Sequence, residues 1–201
     1  MTSMISGIKL AIASTILAAA TASAATITID FETMPGADGK LNTADDIPMA
    51  DNNLVWIRDQ LTPAGITFTQ GTLFQSSFFD GNAQNHFLSS TNPIGTFSIP
   101  VYGISIESKS YWNATLTAYG ASGNVLAVST LPPTADAVGL LSVTTTEAIT
   151  SFSVLPDNPS SILNLDNMVL TVSAVPEPST WAMFGAGIAL LGWRRRQALR
   201  G

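Results

Sequence analysis

The 201-residue chain contains no cysteine, so disulfide bonds contribute nothing to its stability. Residues 25–174 carry thirteen acidic and three basic side chains, a net charge of −10, against −6 for the whole chain. A region this acidic repels phosphate groups and offers no basic patch, which excludes nucleic acid as a partner. The two ends of the chain are hydrophobic and differ in kind from the 150 residues between them.

Residues 1–24 have the three-part pattern of a secretory signal peptide. Lys9 and the α-amino group supply positive charge, residues 10–20 are apolar, and residues 22–24 read Ala-Ser-Ala, an A-x-A cleavage site. The alternative is a membrane anchor or a buried helix, but the apolar run is short and ends in small residues. The pattern therefore predicts export and a mature chain that begins at Ala25.

Residues 25–174 are predicted to form one domain of short β-strands, because runs rich in Thr, Val, Ile and Phe alternate with turn residues. The predicted strands are 25–31, 65–69, 95–100, 102–108, 114–120, 124–130, 148–156 and 167–174. Two glycines and an asparagine within 119–125 predict a hairpin turn. Apolar residues at helical spacing within 52–61 predict one short helix. The whole pattern indicates an all-β fold, an antiparallel β-sandwich.

The segment 35–46, PGADGKLNTADD, is the densest group of potential metal ligands in the chain. It does not fit an EF-hand loop, whose first and third ligands would fall on Met34 and Gly36. Ca²⁺ is a hard cation that tolerates variable geometry, so a looser oxygen cage is predicted from Asp38, Asn42, Asp45 and Asp46. The alternative is a polar surface loop with an Asp-Gly turn.

Two adjacent aromatic residues, Tyr111 and Trp112, are the predicted ligand-binding side chains. They precede Asn113 at a predicted strand edge or loop, where an aromatic ring can stack on a sugar. Trp56 and Tyr102 are weaker candidates, and for at least two of the four aromatics the alternative is burial in the core.

Catalysis finds little support in these residues. His86 is the only histidine, which argues against a histidine-based zinc site and leaves a single base for any serine triad. No glycine-rich phosphate loop is present, and nothing marks two of the carboxylates as a glycosidase pair. The domain is therefore predicted to be non-catalytic.

The tail 175–201 reads VPEPSTWAMFGAGIALLGWRRRQALRG and has three successive parts. Pro176 and Pro178 favour an extended, accessible spacer. The apolar run 181–193 is short for a bilayer span, but it has tryptophan at both ends and small residues between them. A cluster of cations that holds the C-terminus in the cytoplasm follows at once: Arg194, Arg195 and Arg196.

This order of parts resembles the PEP-CTERM sorting signal of Gram-negative bacteria, over the whole of residues 175–201. The resemblance implies that an exosortase, a membrane transpeptidase, recognises Pro176, Glu177 and Pro178 and processes the tail. It implies a single transmembrane helix that anchors the chain in the inner membrane before processing. After processing it implies a cell-surface or extracellular-matrix location and a link to exopolysaccharide and biofilm. The alternative is a plain C-terminal membrane anchor.

A second resemblance concerns the domain itself. The hairpin at 114–127 and the stretch 166–170, DNMVL, are similar to parts of the jelly-roll domains of many PEP-CTERM proteins, which resemble carbohydrate-binding modules. The resemblance implies a β-sandwich of jelly-roll type. The predicted function is a structural or carbohydrate-binding component of the extracellular polysaccharide matrix. The alternative is a secreted glycan-active enzyme of glycosidase type.

Overall fold

A computed structural model of the chain shows a domain built of β-strands. Apolar and polar residues alternate along these strands. The structure describes residues 24–49, 55–76, 85–134 and 137–172, together with the single residue Ile188. Within these ranges the strands are β1 Ala25–Ile29, β2 Thr33–Met34, β3 Ile47–Pro48, β4 Val55–Trp56, β5 Ile66–Gln75, β6 His86–Lys109, β7 Ala114–Tyr119, β8 Val125–Leu131, β9 Gly139–Pro156 and β10 Leu163–Val172. One 3-10 turn, Thr62–Ala64, precedes β5.

Eight of these strands form one sheet, and β2 and β3 form a separate two-stranded sheet. The main path through the larger sheet is β1-β10-β6-β9-β7-β8, while β5 pairs with both β6 and β4. The pairs β1–β10, β4–β5, β5–β6, β6–β9, β7–β8 and β7–β9 are antiparallel. The predicted all-β class is confirmed, and the predicted antiparallel pairing holds for all of these pairs, but β10 pairs with β6 in parallel.

Two strands are much longer than the sequence predicts. β6 has 24 residues and β9 has 18, and each pairs with different partners along its length. In their shared ladder Thr96 lies opposite Ser151, whereas Val101 lies opposite Ile149, so β6 contains a bulge between these pairs. The prediction of two separate strands at 95–100 and 102–108 is therefore wrong, because the bulged residues between them remain extended.

The long strands and β7 bury one face each, namely β5, β6, β7, β9 and β10, and the buried faces meet in a single core. At its centre the ring of Phe152 stacks on Phe97 at 5.5 Å and meets Phe68 edge-on at 6.0 Å, and Phe31 packs on Phe68 at 6.1 Å. The same core contains Leu116 from β7 near one end of the sheet path and Leu170 from β10 near the other. The sheet must therefore close over this core, as a sandwich requires.

The short helix predicted at 52–61 is wrong within the described residues. Val55–Trp56 is a strand, and the N–H of Ile57 continues its pairing by donating to the carbonyl of Gly71 at 3.3 Å. Ile57 and Leu61 are buried, as the apolar pattern required, but the chain reaches both positions through a strand and a turn. Pairing with β5 therefore outweighs the local helical spacing.

The predicted hairpin at 119–125 is confirmed. β7 and β8 are antiparallel, and across the turn the N–H of Gly120 donates to the carbonyl of Asn124 at 2.9 Å. Gly123 has a φ of 77°, a left-handed conformation that favours glycine.

Residues Ser23–Ala174 form one compact unit. The predicted signal peptide lies outside the described residues except for Ala24, and the predicted sorting tail lies outside them except for Ile188. In the part of the chain that the structure describes, we find no helix of the length and hydropathy needed to cross a bilayer.

Candidate functional site

A surface groove of about 510 Å³ lies over β4, β5 and the beginning of β6. This Trp56 groove is lined by Trp56, Gln70, Gly71, Thr72, Phe74, Ser89, Ser90, Thr91 and Ile162. Three of the lining side chains are large, apolar and exposed, namely Trp56 at 66%, Ile162 at 57% and Phe74 at 38%. Single exposed apolar residues are common, but three around one cleft are typical of a ligand-contacting surface.

The register of three neighbouring strands places the key side chains on one face. Trp56 lies opposite Thr72 on β5, and Thr72 lies opposite Ser89 on β6. Directly opposed residues project from the same face of a sheet, so these three form a row across the strands. Phe74 is two residues beyond Thr72 and therefore shares that face. An indole ring and a benzyl ring thus lie beside two hydroxyl groups.

A break in the β5–β6 register opens the groove. Gln70 lies opposite Ile94 and Thr72 lies opposite Ser89, so two steps along β5 correspond to five along β6. The segment 90–93 therefore loops out of register, and part of it forms a wall of the groove.

Gly71 occupies this break and lies at the floor of the groove. Its φ is 152°, and a Cβ atom here would lie 2.3 Å from a methyl group of the buried Leu88. A larger residue would push β5 away from the core. Glycine at this position therefore permits the bulge that shapes the groove.

Among the described residues that line the groove, no side chain is charged. Its hydrogen-bonding groups are all neutral: Gln70, Thr72, Ser89, Ser90 and Thr91. Arg58 follows Trp56 by two residues but does not line the groove. Apolar ring faces and neutral hydrogen-bonding groups together suit a ligand that has apolar C–H faces and many hydroxyl groups.

The predicted ligand residues Tyr111 and Trp112 lie in the turn between β6 and β7, with exposures of 62% and 44%. The N–H of Trp112 donates to Ser110 Oγ at 3.1 Å, and Asn113 Nδ2 donates to Asp157 Oδ2 at 2.6 Å. These bonds hold the turn that carries both rings. Neither ring lines the Trp56 groove. A ligand-binding role for these two residues stays a prediction.

The three carboxylates of the predicted Ca²⁺ loop converge on one hydroxyl group. Thr43 Oγ1 lies 2.7 Å from Asp45 Oδ1, 3.0 Å from Asp46 Oδ1 and 3.5 Å from Asp38 Oδ1. The backbone N–H of Asp38 also donates to Asp45 Oδ2 at 3.1 Å. The negative charge of the loop is therefore concentrated around Thr43 and is partly compensated by hydrogen bonds within the loop.

The fourth predicted ligand, Asn42, directs its amide group elsewhere, because its Nδ2 donates to the carbonyl of Thr28 at 2.9 Å. The hydroxyl of Thr43 and then the backbone N–H of Asp38 hold the pKa of Asp45 below its usual range. Among the described residues, no three His, Asp or Glu side chains have an arrangement that could hold a metal ion. Calcium binding by this loop stays a prediction.

A buried polar cluster of Asn85, His86 and Asp166, together with Glu32, whose side chain is 36% exposed, joins β6, β10 and the segment after β1. The backbone N–H of His86 donates to Glu32 Oε1 at 2.6 Å, and its ring Nδ1 lies 2.7 Å from Glu32 Oε2. Asn85 Nδ2 donates to Asp166 Oδ2 at 3.1 Å. His86 is 3% exposed and Asp166 is 2% exposed.

The pKa of Asp166 is raised to about 6, chiefly by burial. The hydrogen bonds from Asn85 and from the N–H of Asn167 lower this pKa, and the nearby charges of Glu107 and Glu32 raise it. Most polar groups of the cluster bond to one another, so the cluster serves the fold. Within this cluster the exception is His86 Nε2, which is buried without a hydrogen-bond partner; Asn92 Oδ1 and Ser108 Oγ are in the same position elsewhere among the described residues.

Backbone strain adjoins both carboxylates of the buried polar cluster. Phe31, next to Glu32, has a φ of 61°, and Asn167, next to Asp166, has a φ of 46°. Non-glycine residues rarely adopt this region, and a phenylalanine does so at a cost. No sequence pattern signals a positive φ at phenylalanine. The placement of 166–170 in the last strand is confirmed, because these residues lie within β10, but the sequence interpretation missed the cluster.

Neither cleft that the structure describes contains a pair of carboxylates. The Trp56 groove has none, and a second cleft of about 330 Å³ is lined by Leu126, Thr144, Thr145, Thr146 and Glu147. Glycoside hydrolysis ordinarily needs two carboxyl groups that flank the scissile bond. These two clefts therefore lack that geometry.

The PEP-CTERM protein-sorting motif matches residues 174–196 of the chain. The match includes Pro176, Glu177 and Pro178 and extends to Arg196. The prediction from the tail is confirmed, and the protein carries a PEP-CTERM sorting signal. No curated protein sequence matches the chain.

Solved structures of carbohydrate-active proteins have limited similarity to this chain. A variant of the carbohydrate-binding module CBM29-2 complexed with mannohexaose has a TM-score of 0.41 at 10% identity, covering 75% of this chain and 94% of that one. CsCBM6-3 from Clostridium stercorarium in complex with cellobiose has a TM-score of 0.35 at 15% identity, covering 51% and 82%.

The arabinose-bound arabinofuranosidase MgGH51 has a TM-score of 0.40 at 13% identity, over 58% of this chain. The matched region spans only 24% of that enzyme. Similarities this low carry no argument about ligand or activity.

Proposed function

We propose that the chain is an exported, surface-sorted and non-catalytic protein that binds polysaccharide in the extracellular matrix. Residues 25–174 constitute the exported domain, a β-sandwich of jelly-roll type. A signal peptide at 1–24 precedes it and a sorting tail at 175–201 follows it. The observation that carries the binding role is the Trp56 groove, where exposed aromatic rings adjoin neutral hydrogen-bonding side chains.

The binding chemistry follows from the two kinds of surface in this groove. A sugar ring presents an apolar C–H face, which Trp56 and Phe74 can cover, and burial of apolar area contributes about 25 cal/mol per Å². The hydroxyl rim of the sugar finds neutral partners, each worth about 1 kcal/mol net. Each contact is weak. Binding to a polymer with many identical sites compensates through repeated engagement.

The sorting role rests on the tail. We expect an exosortase-type transpeptidase to recognise Pro176, Glu177 and Pro178 while the apolar run 181–193 lies in the inner membrane as a single helix. The arginines hold the end of the chain in the cytoplasm until processing releases the domain to the cell surface or matrix: Arg194, Arg195 and Arg196.

Mass spectrometry of the C-terminus, in cells with and without the processing enzyme, tests the sorting role. Loss of the tail only where the enzyme is present supports the proposal. An intact tail in both would leave a plain membrane anchor.

The loop 35–46 is proposed as a weak Ca²⁺ site. Support comes from charge alone: three carboxylates approach Thr43 Oγ1, and a divalent cation would relieve their mutual repulsion, although binding would require them to leave the arrangement that the structure describes. The cation would stabilise the loop and would take no part in any reaction.

Neither of the two clefts presents two carboxylates among its described lining residues, so neither supports the glycosidase alternative. Incubation of the protein with matrix polysaccharides, followed by assay of reducing ends, tests it directly. If the wild type releases reducing ends and the Trp56→Ala variant still does so, the chain has an enzymatic site outside the Trp56 groove.

Retention of the protein on insoluble polysaccharides tests the proposed binding function. We expect the wild-type protein to be retained on at least one matrix polysaccharide. A lack of retention on every polysaccharide tried would reduce the domain to a structural component.

A further inference from the structure

We propose that the Trp56 groove selects an uncharged polysaccharide and rejects acidic ones; this inference rests on the proposed function of the same groove. Two observations carry it. The described part of the lining contains aromatic, aliphatic, hydroxyl and amide groups and no charged group. The domain around it has a net charge of −10, from thirteen acidic and three basic residues.

An acidic polymer meets two obstacles at this groove. Its carboxylates are repelled at long range by the charge of the domain, an effect that weakens as salt is added. At contact, each carboxylate loses water and finds no cation among the lining residues, and an unpaired buried charge is costly. The three cations of the domain, Lys40, Arg58 and Lys109, are all absent from the lining.

A neutral polymer is subject to neither effect. The strand register also defines a direction for it, across the strands of the sheet. Neighbouring strands are ~4.8 Å apart, so the row Trp56, Thr72, Ser89 extends over roughly 10 Å. A glycan that crosses the strands would stack one unit on Trp56 and place its hydroxyl groups beside Thr72 and Ser89.

Affinity electrophoresis measures this selectivity. The exported form of the protein is purified from its host in mild detergent. It is run through gels that contain a neutral polymer (galactomannan, dextran or mixed-linkage β-glucan) and through gels that contain alginate as the acidic polymer. We expect retardation by at least one neutral polymer and none by alginate. Retardation by the neutral polymer should change less than twofold between about 0.05 and 0.5 M NaCl, since no ion pair is involved.

Variants locate the interaction. Trp56→Ala should weaken binding of the neutral polymer at least about tenfold, and Trp56→Phe, which keeps a ring, should recover part of the loss. Leu140→Ala removes an equally exposed apolar side chain on β9, outside the groove, and should bind as the wild type does. Because Trp56 is exposed, all three variants should keep the wild-type circular dichroism spectrum.

The outcomes separate the inference from the function on which it rests. Binding of alginate in preference to every neutral polymer would overturn the inference while leaving polysaccharide binding intact. Binding that survives in Trp56→Ala and disappears in Trp112→Ala would overturn it in favour of the β6–β7 turn. Retardation by no polymer at all would overturn both.

Discussion

The buried polar cluster and the Trp56 groove use similar chemical groups for opposite ends. In the cluster, Glu32 accepts two bonds from His86 within 2.7 Å, and Asp166 accepts one from Asn85. In the groove, neutral polar groups and two aromatic rings face solvent. Polar groups satisfied inside a fold contribute to its stability, whereas those left facing an apolar cleft are available to a ligand. The two regions should therefore respond differently to substitution.

The largest effect is expected from Glu32→Ala. The substitution removes the acceptor of the backbone N–H and the ring Nδ1 of His86, a residue that is almost fully buried. Each unsatisfied buried group costs about 1–3 kcal/mol, so we expect the free energy of unfolding to fall by ~2–4 kcal/mol. Urea denaturation measures this change.

Glu32→Gln is the matched control, because its amide oxygen can still accept one of the two bonds. It should lose about half as much stability as the alanine variant. Below the unfolding transition, both variants should bind polysaccharide as the wild type does. Equal stability of Glu32→Ala and the wild type would show that the cluster contributes nothing to the fold.

Asp166 should give the domain a pH-dependent component of stability. Its folded pKa of about 6 lies above the ordinary aspartate value of 3.8, so the contribution is complete below pH 3.8 and is lost as the pH rises through about 6. Asp166→Asn removes this component. The stability of the variant relative to the wild type should therefore rise by about 2 kcal/mol between about pH 4 and pH 7.

Urea denaturation at the two pH values measures this difference, with Asp59→Asn as the control for an exposed carboxylate. A constant difference between Asp166→Asn and the wild type would mean that Asp166 does not titrate in this range.

The acidic loop should respond to Ca²⁺ by a smaller amount. Extracellular sites of this kind have dissociation constants of about 10⁻⁴–10⁻³ M, so millimolar Ca²⁺ should stabilise the wild type by about 1 kcal/mol. The melting temperature is compared with that of an Asp38→Ala, Asp45→Ala double variant, in Ca²⁺ and in chelator. An equal rise in both proteins would place the site elsewhere, and no rise in either would leave the loop as a solvated turn.

The smallest effect on stability is expected at Trp56, where the effect on binding is expected to be large. The side chain is 66% exposed, so Trp56→Ala should change the free energy of unfolding by no more than about 0.5 kcal/mol. Urea denaturation checks this. A loss of several kcal/mol would assign the indole to the core and weaken its role as a binding surface.

The sequence predicted features that neighbouring residues define. The sorting signal depends on a proline-rich spacer, an apolar run and arginines within one short segment, and the hairpin at 119–125 depends on its own turn residues. The alternation in β7, where Ala114, Leu116 and Ala118 are buried, likewise predicts a strand from local composition.

The sequence did not predict the Trp56 groove or the buried polar cluster, because each brings together residues that are far apart in the chain. Trp56 meets Thr72 and Ser89 only through the strand register, and that register depends on the bulge at Gly71. Asn85 and Asp166 are 81 residues apart. No spacing within a short window indicates such a pairing, which is why the sequence favoured the adjacent pair Tyr111 and Trp112 over Trp56.

The most direct test of the account is an NMR titration that follows the indole N–H signals of the protein as galactomannan oligosaccharides are added. The signal lost in Trp56→Phe identifies Trp56, and the signal lost in Trp112→Phe identifies Trp112. The account predicts that the Trp56 signal shifts with saturable dependence on the sugar while the Trp112 signal stays in place. A saturable shift at Trp112 with an unmoved Trp56 signal would contradict it.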